Sequence, residues 1–289
     1  MKGETKIKTD IFSQINSRYN SFTNTEKKIA DYIFKNSKDV IHMSITDLAY
    51  NCGVAESSVF RFCKSMNLKG YQEFKIALVH MTTLADESPH LSSEITQEDT
   101  LEELASKVLS TNISALTQTY NLINTKDILN AVKAMIEADK IHFFGVGSSL
   151  MTALEGKSKF LRITNKTECS MDSHLQIMSA SLMTSKDVAI LISYSGSTKD
   201  VIEVAEVAKE RGAKIICITR FAKSPLTSYS DITLLCGANE GPLQGGSLSS
   251  KISQLYLLDM LYLEYFRRTY DESVLNKEST SKAVIEKMI

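Results

Sequence analysis

A chain of 289 residues, 43% apolar and 23% charged, has the composition of folded domains and the length of about two of them. Wholly disordered and collagen-like chains are excluded, and no apolar run approaches the roughly 18–20 residues of a bilayer span; the strongest, 255–263, already holds Asp259. The net charge of −1 hides an asymmetry, since residues 1–80 carry 12 Lys/Arg against 8 Asp/Glu and residues 81–289 carry 21 against 26.

Residues 1–84 read as helices joined by short connections, with no convincing strand. Ile29, Ile33 and Phe34 recur at helical spacing, with Thr25 placed to cap their helix. Ser44-Ile45-Thr46-Asp47 fits a capping box, in which the Ser44 hydroxyl accepts an amide at the start of a short helix. Asn51-Cys52-Gly53 ends that helix. A further helix over 56–66 sets Val59, Phe62, Cys63 and Met66 on one face. Gly70 separates it from a last helix over 71–84, buried through Phe74 and Leu78, with Met81 a further candidate.

Residues 45–66 thus form helix, tight turn, helix. Ala49 is small where the second helix crosses the first, Gly53 takes the turn where a positive φ is inexpensive only for glycine, and Val59 buries the second helix against the first. Glu56, Ser57, Ser58, Phe60, Arg61 and Lys64 then face outward. Such a helix suits a major groove, with N-terminal side chains on base edges and basic residues on phosphates. The expected partner is operator DNA, and Ser44 and Lys69 complete the DNA-binding set. An ordinary helical hairpin is the alternative, because Ala-x3-Gly-x5-Val alone is a weak pattern.

Between Asp86 and Glu103 lie seven acidic residues and no basic one, with Pro89 and a Ser/Thr/Glu/Asp-rich stretch. Residues 85–100 therefore read as an acidic linker. A basic front joined to an acidic remainder suits a DNA-binding module carrying a separate regulatory module. Beyond the linker, helices over 101–122 and 127–138 precede an alternation of short β-branched runs (140–144, 168–171, 188–193, 214–219, 231–235) with helical segments (149–164, 175–183, 200–211). A long amphipathic helix over 248–268 closes the pattern. The expected architecture is an all-α helix-turn-helix domain followed by an α/β domain, 101–289, with a five-stranded parallel sheet flanked by helices.

Two hydroxyl-rich loops follow predicted strands and open predicted helices: Gly145-Val146-Gly147-Ser148-Ser149 and Ser193-Tyr194-Ser195-Gly196-Ser197-Thr198. In a parallel sheet both fall at the C-terminal edge, where ligands of such folds bind. Helix N-terminal amides attract an anion, glycine lets the backbone approach it, and Ser/Thr hydroxyls add donors. Gly147, Ser148, Ser149, Ser193, Ser195, Gly196, Ser197 and Thr198 are the candidate phosphate ligands, and Glu240, before Gly241-Pro242, is placed to meet a ligand hydroxyl. Gly145-x-Gly147 also begins a dinucleotide fingerprint, but Leu150 occupies the third glycine position and Asp172 lies 27 residues beyond Gly145.

Five cysteines (Cys52, Cys63, Cys169, Cys217, Cys236) without a Cys-x-x-Cys pair read as reduced thiols, with neither a disulfide framework nor a zinc site. The charged first eight residues lack the apolar core of a signal peptide, so a cytoplasmic protein without a membrane partner is expected. No cofactor is called for.

These motifs resemble the RpiR-type phosphosugar-responsive transcriptional regulators. Thr25-Glu26-Lys27-Lys28-Ile29-Ala30-Asp31-Tyr32-Ile33 is similar to the family's opening helix. His42-Met43-Ser44-Ile45, Val59-Phe60-Arg61-Phe62-Cys63 and Gly70-Tyr71-Gln72-Glu73-Phe74-Lys75 resemble its helix-turn-helix. The two serine loops and the 250–261 segment resemble the sugar-isomerase (SIS) domain. The resemblance spans about 11–268. It implies a SIS fold and a homodimer or homotetramer whose operator affinity changes when a sugar phosphate binds. The alternative on the same SIS domain is a sugar-phosphate isomerase or lyase, with a general base from Glu155, from His174 (placed at a strand end) or from Glu240, although no pair has diagnostic spacing. The chain departs from the family at Ala55, where a serine is usual, and at Lys251, where an arginine is usual. A missing N-cap costs on the order of 1 kcal/mol, and lysine cannot make arginine's bidentate contact.

Overall fold

The computed structural model describes residues 11–40, 43–85, 96–237 and 248–285. The chain divides into two compact units, Met1–Ile113 and Ser114–Ile289. The first holds α1 (Ile11–Arg18), α2 (Asn24–Lys35), α3 (Ser37–Val40), α4 (Ile45–Cys52), α5 (Glu56–Ser65), α6 (Tyr71–Ala85) and the start of α7 (Leu101–Leu122). Thr23, not Thr25, caps α2. Glu26 stands three residues after Thr23, so the Glu26 amide donates to the Thr23 hydroxyl while the Glu26 carboxylate accepts from the Thr23 amide. Thr25 lies within the first turn, with no such partner in register. α1 and α3 are the elements that the periodicity does not reveal, because eight and four residues hold too few apolar repeats.

Ile29, Ile33, Leu48, Val59, Phe62, Phe74 and Leu78 form the core of this unit, each at most 1% exposed. The Phe62 ring meets Phe22 and Phe74 edge-on, with centroids 5.4 and 6.3 Å away, the arrangement that aromatic quadrupoles favour. Met81 lies in α6, and its side chain falls outside the described residues, as do residues 86–95 of the expected linker, Pro89 among them. The Thr100 hydroxyl and Glu103 cap α7. Lys107 donates to both oxygens of Asp99 at 2.7 Å and holds that carboxyl below its usual range.

The second unit continues from α7 through α8 (Thr125–Glu137), β1 (Ile141–Gly145), α9 (Ser148–Phe160), β2 (Thr167–Glu168), α10 (Ser173–Ser181), β3 (Val188–Ile192), α11 (Lys199–Glu210), β4 (Lys214–Thr219), β5 (Ile232–Leu235), α12 (Leu248–Arg268) and α13 (Tyr270–Ile285). All strand pairs are parallel, in the order β2-β1-β3-β4-β5. Alternate strand residues build two cores. Phe143, Ile190 and Ile216 pack with α8, α9 and α12, while Phe144, Leu191 and Cys217 pack with α10 and α11. β2 ends at Glu168, three residues short of the predicted run. α13 is the other element missed: its sequence carries no continuous apolar face, and it is tied down by Ser273, fully buried, and by Asn276, which donates to the Ile163 carbonyl at 2.9 Å.

All five cysteines are free thiols. Burial pushes Cys52 up to about 11 and Cys63 to about 12 in the first core. In the second unit, burial pushes Cys217 to about 12 in the core beneath α10 and α11 and half-buried Cys169 to about 11, and Cys236 is buried in the core on the other side of the sheet. Among the described residues, no helix is long and apolar enough to cross a membrane.

Candidate functional site

Two sites can be built from the residues upward, one in each unit. In the first, Ser44 starts α4 through a reciprocal box: Asp47 N–H donates to Ser44 Oγ at 3.1 Å, and Ser44 N–H donates to Asp47 Oδ2 at 2.9 Å. The hydrogen bonds from Ser44 hold the Asp47 carboxyl below its usual value. Gly53 closes α4 at φ 63°, a left-handed conformation that frees the chain to turn, and its amide donates back into α4. α5 then begins at Ala55 with no side-chain cap.

Val59, Phe62 and Cys63 face inward from α5. Glu56, Ser57, Phe60, Arg61 and Lys64 are exposed and Ser58 is half-buried, so the predicted outward set does share one surface. Three of its members have hydrogen-bond partners within the unit. Glu56 accepts from Thr46 Oγ1 at 2.7 Å, joining the first turns of α4 and α5, and Arg61 donates to Ser58 Oγ at 3.3 Å. Lys64 Nζ lies 5.4 Å from the centroid of the Phe60 ring, which is 44% exposed. Gly70 lies beneath that ring, where a Cβ would make a tight 3.3 Å contact with Phe60 Cε2. Exposed Lys69 borders the same groove, with Ser44, Phe60 and Gln72. The face is cationic and hydroxyl-bearing, with one aromatic ring held in place.

In the second unit, the site follows from sheet order. β1 sends its chain to β2 on one side, and β3 sends its chain to β4 on the other, so the direction of winding reverses between β1 and β3. Such a switch point opens a crevice at the carboxyl ends of the strands. Gly145 pairs with Ile192 at that edge, and the two serine loops leave from the next residues, side by side. Gly145 has no room for a side chain, since a Cβ would sit 2.7 Å from the Ser149 carbonyl oxygen. Gly147, at φ 61°, is the N-cap of α9 and offers no capping side chain; Ser148 is exposed and Ser149 buried in the first turn.

In the second loop, buried Ser193 shares a 3.2 Å hydrogen bond with Thr198 Oγ1, and Thr198, the N-cap of α11, makes no capping bond. The Ser195 hydroxyl accepts from the Ser197 amide at 3.2 Å. Gly196 is buried at φ 61°, and a Cβ there would fall on the Ser224 side chain. Its carbonyl accepts from Leu226 N–H at 3.0 Å, while Thr219 Oγ1 donates to the Tyr194 carbonyl at 3.2 Å. The loop is thereby moored to the end of β4. The crevice offers two helix N-termini and several hydroxyls, a donor set for an anion with oxygen on several sides.

Glu155 is exposed on α9. His174 is exposed within α10 rather than at a strand end, because β2 stops early and Asp172 starts α10 by accepting from Leu175 N–H at 3.1 Å. Glu240 and Gly241-Pro242 lie outside the described residues. Sequence reasoning missed Thr219 and Ser224, which shape the second loop, and Gln176, whose Nε2 donates to the Gly145 and Ser170 carbonyls at 2.9 Å each. The available signal for Gln176 was a polar residue on the inward face of its helix.

Comparison with known proteins matches both units. A family model of the rpiR-family helix-turn-helix domain matches residues 9–83, and a model of the SIS domain matches 134–264. An uncharacterized HTH-type transcriptional regulator of Caldanaerobacter subterraneus is 36% identical over 276 residues, 96% of this chain and 97% of that one. The HTH-type transcriptional regulator HexR of Pseudomonas aeruginosa is 34% identical over 252 residues, 87% of each chain. Among solved structures, the Vibrio vulnificus NanR protein complexed with ManNAc-6P is 31% identical and aligns with a TM-score of 0.62, covering 96% of this chain and 98% of that one.

Proposed function

This chain belongs to the rpiR family of helix-turn-helix transcription regulators that carry a SIS domain, and from that premise we propose that a sugar phosphate bound in the SIS crevice controls its grip on operator DNA. The observation that carries the reading is the pairing of Gly145 with Ile192, which starts both serine loops at adjacent strand ends. Gly147, Ser148, Ser149, Ser193, Ser195, Gly196, Ser197 and Thr198 surround the phosphate, and Glu240 meets a sugar hydroxyl. Residues 1–84 bind DNA through Ser44, Glu56, Ser57, Ser58, Phe60, Arg61, Lys64 and Lys69. Residues 85–100 link them to the SIS domain, 101–289. The protein works in the cytoplasm as a homo-oligomer and binds its effector without converting it; Glu155 and His174, two groups considered for a general base, are solvent-exposed. The sugar phosphate bound by NanR makes amino-sugar phosphates the first compounds to try.

The test is a thermal-shift panel of sugar phosphates, ManNAc-6P among them, run beside the free sugars and inorganic phosphate. A ligand at 100 times its Kd adds about 2.7 kcal/mol to stability, or roughly 5–10 °C at about 2–4 °C per kcal/mol. Ser197→Leu removes that shift and leaves DNA binding intact. A panel with no response, or a Ser197→Leu protein that responds as the parent does, overturns the assignment.

A further inference from the structure

In the outward set of α5, Phe60 is the only apolar member. Register puts it there. Val59 and Phe62 hold the inward stripe, each at most 1% exposed, and Phe60 follows Val59 by one residue, roughly 100° around the helix. Its ring is 44% exposed and stands beside three exposed cations, Arg61, Lys64 and Lys69. The ring is also braced. Gly70 leaves no easy room for a Cβ next to Cε2, and the Lys64 ammonium lies 5.4 Å from the ring centroid. Bracing fixes the ring before any partner arrives, so a contact made by its free surface costs less ordering.

A braced apolar ring among cations suits a partner that is polyanionic yet offers an apolar group within reach of α5. The base edges of B-form DNA carry one such group, the thymine C5 methyl, which projects into the major groove. We infer that Phe60 packs on a thymine methyl of the operator and makes this chain selective for thymine at that position. The inference rests on the reading of α5 as a major-groove helix and adds the base that its ring selects. It also divides the work of the helix. Arg61 and Lys64 meet phosphates, a contact that positions the protein without reading sequence, whereas Phe60 reads a base. Cytosine has only a hydrogen at C5, so a ring placed to cover the methyl loses that contact when cytosine replaces thymine.

The test uses the full chain to enrich duplexes from a random pool. Each thymine of the enriched site is then replaced by deoxyuridine, which keeps the base pair and removes only the methyl. In the parent, at least one replacement lowers affinity by about 3- to 10-fold, near what burial of one methyl-sized group supplies. Phe60→Ala binds the thymine duplex more weakly than the parent does, and binds the thymine and deoxyuridine duplexes equally. A parent indifferent to every replacement overturns the inference, and so does a Phe60→Ala protein that keeps the parental difference. Cross-linking of the unmodified parent needs no variant to fold. 5-Iodouracil at the sensitive position sets iodine where the methyl was, and irradiation joins that base to an aromatic ring in contact with it. Peptide mapping finds the base on Phe60; a link to another residue, or none, overturns the inference. A pool that yields no enriched sequence counts against the DNA-binding reading, and the inference falls with it. An enriched site without a methyl-sensitive thymine sinks the inference alone.

Discussion

In the helical unit, α2 and α4 begin with a hydroxyl, from Thr23 or Ser44, bonded to an amide of the helix's own first turn, whereas α5 begins at Ala55 without one. The α/β unit repeats the contrast. Asn124 and Asp172 cap α8 and α10, while α9 and α11 begin at Gly147 and Thr198 with no capping side chain, the Thr198 hydroxyl engaging Ser193 instead. A side-chain cap satisfies one of the free amides of the helix's first turn internally. An uncapped helix directs them, and the positive end of its dipole, toward whatever lies in front. Among these helices the uncapped ones adjoin the proposed sites: α5 carries the DNA-facing set, and α9 and α11 begin at the two serine loops. The two units reach an anion by different chemistry. The front adds full charges in Arg61, Lys64 and Lys69; the crevice relies on amides and hydroxyls, which bind one small anion without attracting a polyanion.

Breaking the crevice is expected to have the largest effect. Gly145→Ala drives a methyl into the Ser149 backbone and lowers stability by about 2–4 kcal/mol, which a denaturant melt of the full chain measures; the sugar-phosphate shift is lost with it. Arg61→Ala is smaller, about 1–2 kcal/mol of operator affinity, and reduces the slope of log affinity against log salt by about 1. Titrations at several salt concentrations report both, and an unchanged slope moves the phosphate-facing surface off α5. The subtlest is Ala55→Ser, which adds the cap that α4 and α2 already have. It stabilises the front by about 0.5–1 kcal/mol, seen as a raised melting midpoint. If operator affinity falls at the same time, the amides of α5 were directed at DNA; if affinity is unchanged, the contrast between capped and uncapped helices does not extend to the front unit.

The elements legible in the sequence were those whose side chains repeat against a single core. The strand runs and α4–α5 fall within a residue or two of expectation, except β2, because burial on two faces or on one stripe leaves a strong pattern. Thr25 misled because a threonine next to an apolar run looks like a cap, whereas register with Glu26 selects Thr23. His174 was misplaced through the overlong β2. The serine loops were visible as composition, but their adjacency depends on the β1–β3 pairing, which no local pattern encodes. Ser224 and Gln176 act from distant segments, so only the assembled sheet brings them to the loops.

The buried thiols have a use of their own. Cys63 in one core and Cys217 in the other are shielded and remain protonated at neutral pH, so an alkylating reagent reaches each chiefly when its own unit opens. Timed labelling followed by peptide mapping would therefore clock the opening of the two halves separately within one tube of unmodified protein, and show whether effector slows one clock or both.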